Sequence, residues 1–134
     1  MRTKQIRPEK QKYEFELYIT RGHDKVTDKE YILFKFLTTK VFLNFIYTVN
    51  VTPKIDMVNK EISFKVEGLS APVVSLAKSG HAVYEYRLYN FKNTEYSLKM
   101  QKQDLEINLF KLRINKSSMK LTRQPANKFI MIII

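Results

Sequence analysis

The dominant period along this chain is two. In "KYEFELYIT", Tyr13, Phe15, Leu17 and Ile19 alternate with Glu14, Glu16, Tyr18 and Thr20, the pattern of a strand with one face buried and one face wet. "RGHDKVTDKE" follows, with Gly22, Asp24 and Asp28 as turn material. "YILFKFL" and "KVFLNFIYTVNV" are rich in Phe, Val, Ile and Tyr, which favours strands. A helix starting at Thr27 or Asp28 and lying within 28–48 competes there, because apolar positions fall on every side and periodicity does not decide. Pro53 interrupts this run.

Further on the alternation is clearer. "KIDMV" and "EISFKVEG" flank Asn59-Lys60, the place for a tight hairpin turn, with Ile62, Phe64 and Val66 on one face and Ser63 and Lys65 on the other. Gly68 and Pro72 mark the next connection. A turn at Ser79-Gly80 leads into "HAVYEYRLYNF", where Tyr84, Tyr86 and Leu88 share a face and Glu85 and Arg87 point outward, placed to pair across strands. In "EYSLKMQ", Tyr96, Leu98 and Met100 alternate with Ser97, Lys99 and Gln101. "LEINLFKLRIN" changes phase: Leu105, Ile107 and Leu109 are apolar, then Phe110, Leu112 and Ile114, which predicts a β-bulge near Leu109–Phe110. "SMKLT" alternates once more before Pro125. Short strands at such spacing, without helices between them, indicate an antiparallel sandwich or barrel.

The segments "EISFKV", "VVSLAKSGHAVYEYRL", "YNFKNTEYSLKMQ" and "INLFKLRI", within 55–114, resemble in their order the small immunoglobulin-like sandwich domains of bacterial surface and secreted proteins. Those domains usually carry glycine before the tyrosine that Thr94-Glu95 precede here. The resemblance implies an all-β, antiparallel immunoglobulin-like β-sandwich and an adhesive or structural role at a surface. It transfers no site residue.

Length and composition agree with one folded domain over 1–134. A chain of 134 residues, 44% hydrophobic and 13% aromatic, has material for a core without staples. The absence of cysteine removes disulfides, thiolate nucleophiles and Cys-bearing zinc sites. "MRTKQIRPEKQKYEF" has basic residues with no apolar run behind them, unlike a signal peptide. A spanning helix over Tyr31 to Val51 would have to place Lys35, Lys40 and Asn44 in hydrocarbon, so two buried strands account for that segment more easily. Location is otherwise unassigned.

The net charge of +11 is unevenly distributed. From Ile107 onward there is no carboxylate side chain, while Lys111, Arg113, Lys116, Lys120, Arg123 and Lys128 add six positive charges. Such a region is either a solvated lysine-rich face or a contact for phosphates, anionic lipid or an acidic protein. It ends in the apolar tail 129–134, formed by Phe129, Ile130, Met131, Ile132, Ile133 and Ile134. Three fates compete for that tail: a final core strand, pairing with a sheet edge of a partner or second copy, and membrane contact.

Chemistry-bearing patterns are sparse. His23 and His81 each stand beside a glycine with no ligand-spaced companion, which suits exposed turn histidines better than metal ligands. Glu14 and Glu16 share one strand face, whereas an acid–base pair would flank a cleft from different elements. There is no phosphate-binding glycine loop, nucleophile elbow or H-E-x-x-H. No catalytic residue, cofactor, metal or small-molecule substrate is assigned. The sequence points to a non-enzymatic binding or structural module that meets a protein partner or another copy through an edge strand or the tail. The alternative is nucleic-acid or polyanion binding through the basic 107–134 region.

Overall fold

The computed structural model describes residues 14–42, 45–74, 80–103 and 105–134. The anticipated positions Tyr13 and Ser79 lie outside them. Among the described residues there is no helix. The strands are β1 (Phe15–Asp24), β2 (Lys29–Phe42), β3 (Phe45–Asp56), β4 (Glu61–Val74) and β5 (Gly80–Tyr89). They are followed by β6 (Glu95–Lys102), β7 (Glu106–Ile114), β8 (Met119–Arg123) and β9 (Ile130–Ile133). Among its described residues, the segment where a helix competed is strand from Lys29 onward. Its β-branched and aromatic residues serve two successive strands, and Ile32, Phe34 and Phe36 of β2 are fully buried.

Two sheets face each other. One runs β9-β1-β2-β5 and the other β3-β4-β6-β7-β8, and the parallel pair Thr48–Val83 joins β3 to β5. The β1–β2, β3–β4 and β6–β7 neighbours are antiparallel, as consecutive strands joined by short turns must be. β4 lies parallel to β6, and β9 returns parallel to β1, Phe15 opposite Ile130 and Tyr18 opposite Ile133.

Between the sheets lies one core. β1 contributes Phe15, Leu17 and Ile19, β4 Ile62, Phe64 and Val66, β6 Tyr96, Leu98 and Met100, and β7 Phe110, Leu112 and Ile114. The Phe64 ring of β4 meets Phe34 and Phe36 of β2 across the gap, with both centroid distances 5.1 Å, and Tyr86 of β5 at 5.7 Å. At the periphery, polar groups cross between sheets. The Arg21 guanidinium of β1 donates to the carbonyls of Asn115 and Lys116 and lies 5.4 Å from the Phe91 ring centroid. Lys102 of β6 pairs with Glu14. Tyr96 is held by its hydroxyl, which accepts the Lys92 N–H at 2.8 Å.

Several local expectations change. Pro53 does not break the run but lies within β3 opposite Phe64, and Gly22 lies within β1 opposite Tyr31, not in a turn. Gly68 and Pro72 do not end a strand. β4 runs through both, because Gly68 takes φ 141° at a register shift that leaves Glu67 unpaired between Val66 and Gly68. A second shift, between Ile46 and Thr48, falls opposite Ala71 and Pro72, where the ladder tolerates a residue without an N–H. The β3–β4 turn is wider than two residues: Asp56 pairs with Glu61, and Lys60 takes the left-handed φ of 55° that closes it. The bulge at Leu109–Phe110 is absent, since β6 and β7 stay in unbroken register from Glu95–Arg113 to Lys102–Glu106. The side-chain types change along β7, not the phase of the strand. Asn108 takes an inward position, and Ile107 and Leu109 point outward.

Two carboxylates fasten turns. Asp24 accepts the N–H groups of Val26 at 2.9 Å and Thr27 at 3.4 Å, and the Tyr89 hydroxyl donates to it at 3.2 Å. Asp56 accepts the Asn59 backbone N–H at 3.1 Å and its side-chain amide at 2.8 Å. Both carboxyls are held below the usual range, chiefly by the Val26 N–H for Asp24 and the Asn59 N–H for Asp56.

Phe64→Ala is expected to lower unfolding free energy by about 3–5 kcal/mol in a denaturant titration, because it removes the ring that both sheets share. Acid should also destabilise the protein through Asp24 and Asp56. A carboxyl whose folded pKa is depressed contributes stability above its unfolded value and loses it as pH falls through the folded value. The denaturation midpoint should therefore drop on acidification below the ordinary carboxylate range, and Asp56→Asn should shallow that drop.

Candidate functional site

Of the anticipated cations, Lys111 and Arg113 project from the outer face of β7. Strand register sets Lys111 opposite Arg123 and Arg113 opposite Lys120, so these four residues gather on one face of the β3-β4-β6-β7-β8 sheet. Lys116 is exposed in the β7–β8 connection, and Lys128, in the β8–β9 connection, reaches Gln124 Oε1 at 2.7 Å. Both belong to loops and not to the gathered face. Lys111 lies 3.7 Å from Glu95 of β6, an exposed pair worth little by itself.

Register adds cations that the 107–134 segment does not contain. Lys99 of β6 stands beside Leu109 of β7 and Ser63 of β4, and Ser63 stands beside Lys54 of β3. Lys65 of β4 lies beside Gln101 of β6 on the same face. The alternation in "EYSLKMQ" and "EISFKV" already turned Lys99 and Lys65 outward. Lys99 comes beside Lys111 through the adjacent β6–β7 hairpin, whereas the place of Lys65 and Lys54 on this face depends on the parallel β4–β6 pairing, which no local pattern announces.

The centre of that face is aliphatic. Leu109 is 62% and Ile107 54% exposed. Two open depressions flank Leu109. One, about 340 Å³, is lined by Ser97, Leu109, Phe110, Lys111, Arg123 and Pro125. The other, about 330 Å³, is lined by Lys54, Lys99, Asp56, Glu61, Ser97 and Leu109 together with Ile62 and Ser63.

The tail forms β9. Phe129 and Ile130 are buried, Ile132 packs against the core, and Met131 and Ile133 lie on the outer side beside Glu16 and Tyr18 of β1. Ile134 is exposed beyond the strand. The Phe129 ring meets Phe15 edge-on at 6.4 Å. What fixes the entry to β9 is the inward Asn108 of β7. Its Oδ1 accepts the Phe129 N–H at 2.9 Å, and its Nδ2 donates to the Asn127 carbonyl at 3.2 Å. The Phe129 carbonyl then accepts the Glu14 N–H at 3.1 Å. A buried amide offers an acceptor and donors on one side chain, so Asn108 can satisfy both an N–H and a carbonyl of a strand arriving from the opposite sheet.

The remaining chemistry-bearing residues do not converge. His23, expected in a turn, lies within β1 one residue before its end, and its Nε2 lies 2.9 Å from Asp28 Oδ1. The His81 side chain lies outside the described residues. Glu14 is engaged by Lys102, and Glu16 accepts the Tyr18 hydroxyl at 2.7 Å. Among the described residues no group of three His, Asp or Glu side chains is placed to hold a metal ion, and no helix is long and apolar enough to cross a membrane.

Asn108→Ala should strand the Phe129 N–H and cost about 1–3 kcal/mol in denaturant unfolding. Amide exchange should rise first in Phe129 to Ile133, ahead of β2 and β4, if Asn108 anchors β9. Comparison with protein-family models, with characterised proteins and with solved structures finds no match for this chain.

Proposed function

We propose that this chain is an immunoglobulin-like β-sandwich that works as a non-enzymatic association module, pairing with a second copy of itself through the outer edge of β9. The contrast between the two edge strands carries this reading. β8, at one end of the strand order, is guarded by Lys120, Arg123 and a register shift against β7. Such devices discourage strand addition. β9, at the other end, reads Ile-Met-Ile-Ile and has no strand beyond it among the described residues. An apolar edge without charge, proline or bulge is a template for β-augmentation.

A twofold axis beside β9 would run the two copies antiparallel and continue one sheet through both. Support for the immunoglobulin-like part comes from Tyr96. It opens β6 after the corner that follows β5, and its hydroxyl bonds back to the backbone at Lys92, as corner tyrosines do in such sandwiches.

Stopping the chain after Lys128 would be a poor test, because Phe129 and Ile130 are core and their loss would weaken the fold itself. Ile133→Lys separates the two effects, since Ile133 is 36% exposed and a lysine there can keep its ammonium in water. Light scattering across a concentration series should give a dimer for the parent chain. The variant should be a monomer with an unchanged melting temperature. A parent chain that stays monomeric, or a variant that stays dimeric, defeats the edge-pairing reading.

A further inference from the structure

We infer that the outer face of the β3-β4-β6-β7-β8 sheet is a docking surface for an extended, carboxylate-rich peptide segment of a partner protein. The segment would cross the strands with aliphatic side chains seated on either side of Leu109. This surface lies on the sheet that does not contain β9, so the inference stands apart from edge pairing.

Charge complementarity selects the partner. The face presents Lys54, Lys99, Lys111, Arg113, Lys120 and Arg123 around Leu109 and Ile107. Near β7 and β8 the acidic member is Glu95, already drawn toward Lys111 and accepting the Thr122 hydroxyl at 3.0 Å. An exposed aliphatic ridge ringed by ammonium and guanidinium groups matches a ligand that alternates carboxylates with apolar side chains.

Shape argues for a peptide over the other anions. The two depressions share Ser97 and Leu109, so they form consecutive seats on the two sides of one ridge. A bilayer is flat on this scale and would not fill them, whereas an extended peptide can place a leucine in each and keep its carboxylates clear of Asp56 and Glu61 at the rim of the second. Single-stranded nucleic acid needs flat rings for its bases to stack on. Phe64, Tyr96 and Phe110 of this sheet all point into the core, and the described outward positions of β4, β6 and β7 carry no aromatic side chain. Length fits as well: five strands about 4.8 Å apart span roughly 19 Å, the reach of about six extended residues.

The test is fluorescence anisotropy with the full chain and a labelled ten-residue peptide alternating Glu and Leu. Comparison ligands are an alternating Lys–Leu peptide, a single-stranded oligonucleotide and phosphatidylserine vesicles. The Glu–Leu peptide should bind most tightly, and Lys99→Glu and Leu109→Ser should each weaken it at least about tenfold with unchanged melting temperatures. Raising salt should weaken binding without abolishing it, because the aliphatic seats persist when charges are screened. Equal binding of the two peptides overturns the inference. So does indifference to both substitutions, or tighter binding of the oligonucleotide or the vesicles.

Discussion

Two sheets joined along the backbone at Thr48 and Val83 have to be held face to face by side chains, and the Phe64 ring stands at the centre of the aromatic contacts between them. It touches Phe34, Phe36 and Tyr86, so one residue of β4 fixes where β2 and β5 lie above it. Burial of such a ring is worth about 3–5 kcal/mol, whereas a hydrogen bond involving a charged group contributes about 1.5–3 kcal/mol net. The aromatic contact therefore brings the sheets together. Arg21 against the β7–β8 connection, Lys102 against Glu14 and Asn108 against Phe129 set their lateral position. Because Phe64 points inward, Ser63 and Lys65 point outward, and the outer face of the same sheet inherits its register from the core.

Period-two alternation made β1, β4, β5 and β6 readable as strands with their buried faces named, since burial on one side leaves a direct mark on residue type. The paired outward residues Glu85 and Arg87 were readable for the same reason. Glu85 faces Lys35 at 3.9 Å, and Arg87 lies 4.6 Å from the Tyr31 ring centroid. Strand order was not readable. The parallel β4–β6 and β1–β9 pairings join residues far apart in the chain, and their hydrogen bonds are made by backbone atoms that every sequence possesses. Gly68 misled because a glycine that ends a strand and one that lets a strand bulge have the same neighbours.

The candidate surfaces were half visible. Lys111, Arg113, Lys120 and Arg123 stood out by their density, and the strand character of 130–133 followed from its composition. Lys54 was hidden by distance along the chain, and Lys99 by lying just outside the carboxylate-free stretch that drew attention to the others. Asn108 was hidden by the rule that polar residues face water. Its inward amide satisfies the backbone of an arriving strand, a need that arises only once β9 is in place. Leu109 beside Phe110 suggested a bulge, which the inward Asn108 and the unbroken β6–β7 register make unnecessary. An exposed leucine and a buried asparagine on one strand are both departures from simple patterning, and the asparagine answers a structural demand while the leucine does not.

The pairing of Phe15 with Ile130 also sets a timetable for biosynthesis. β1 is made well before β9 and finds β2 within a few residues, but its other side stays bare until β9 has been made. At about 5–20 residues per second, translating the stretch between them takes on the order of ten seconds. During that interval the nascent chain carries an open strand margin along β1 that β9 later closes. A slow stretch of translation ahead of β9 would lengthen the interval without altering one contact of the finished protein.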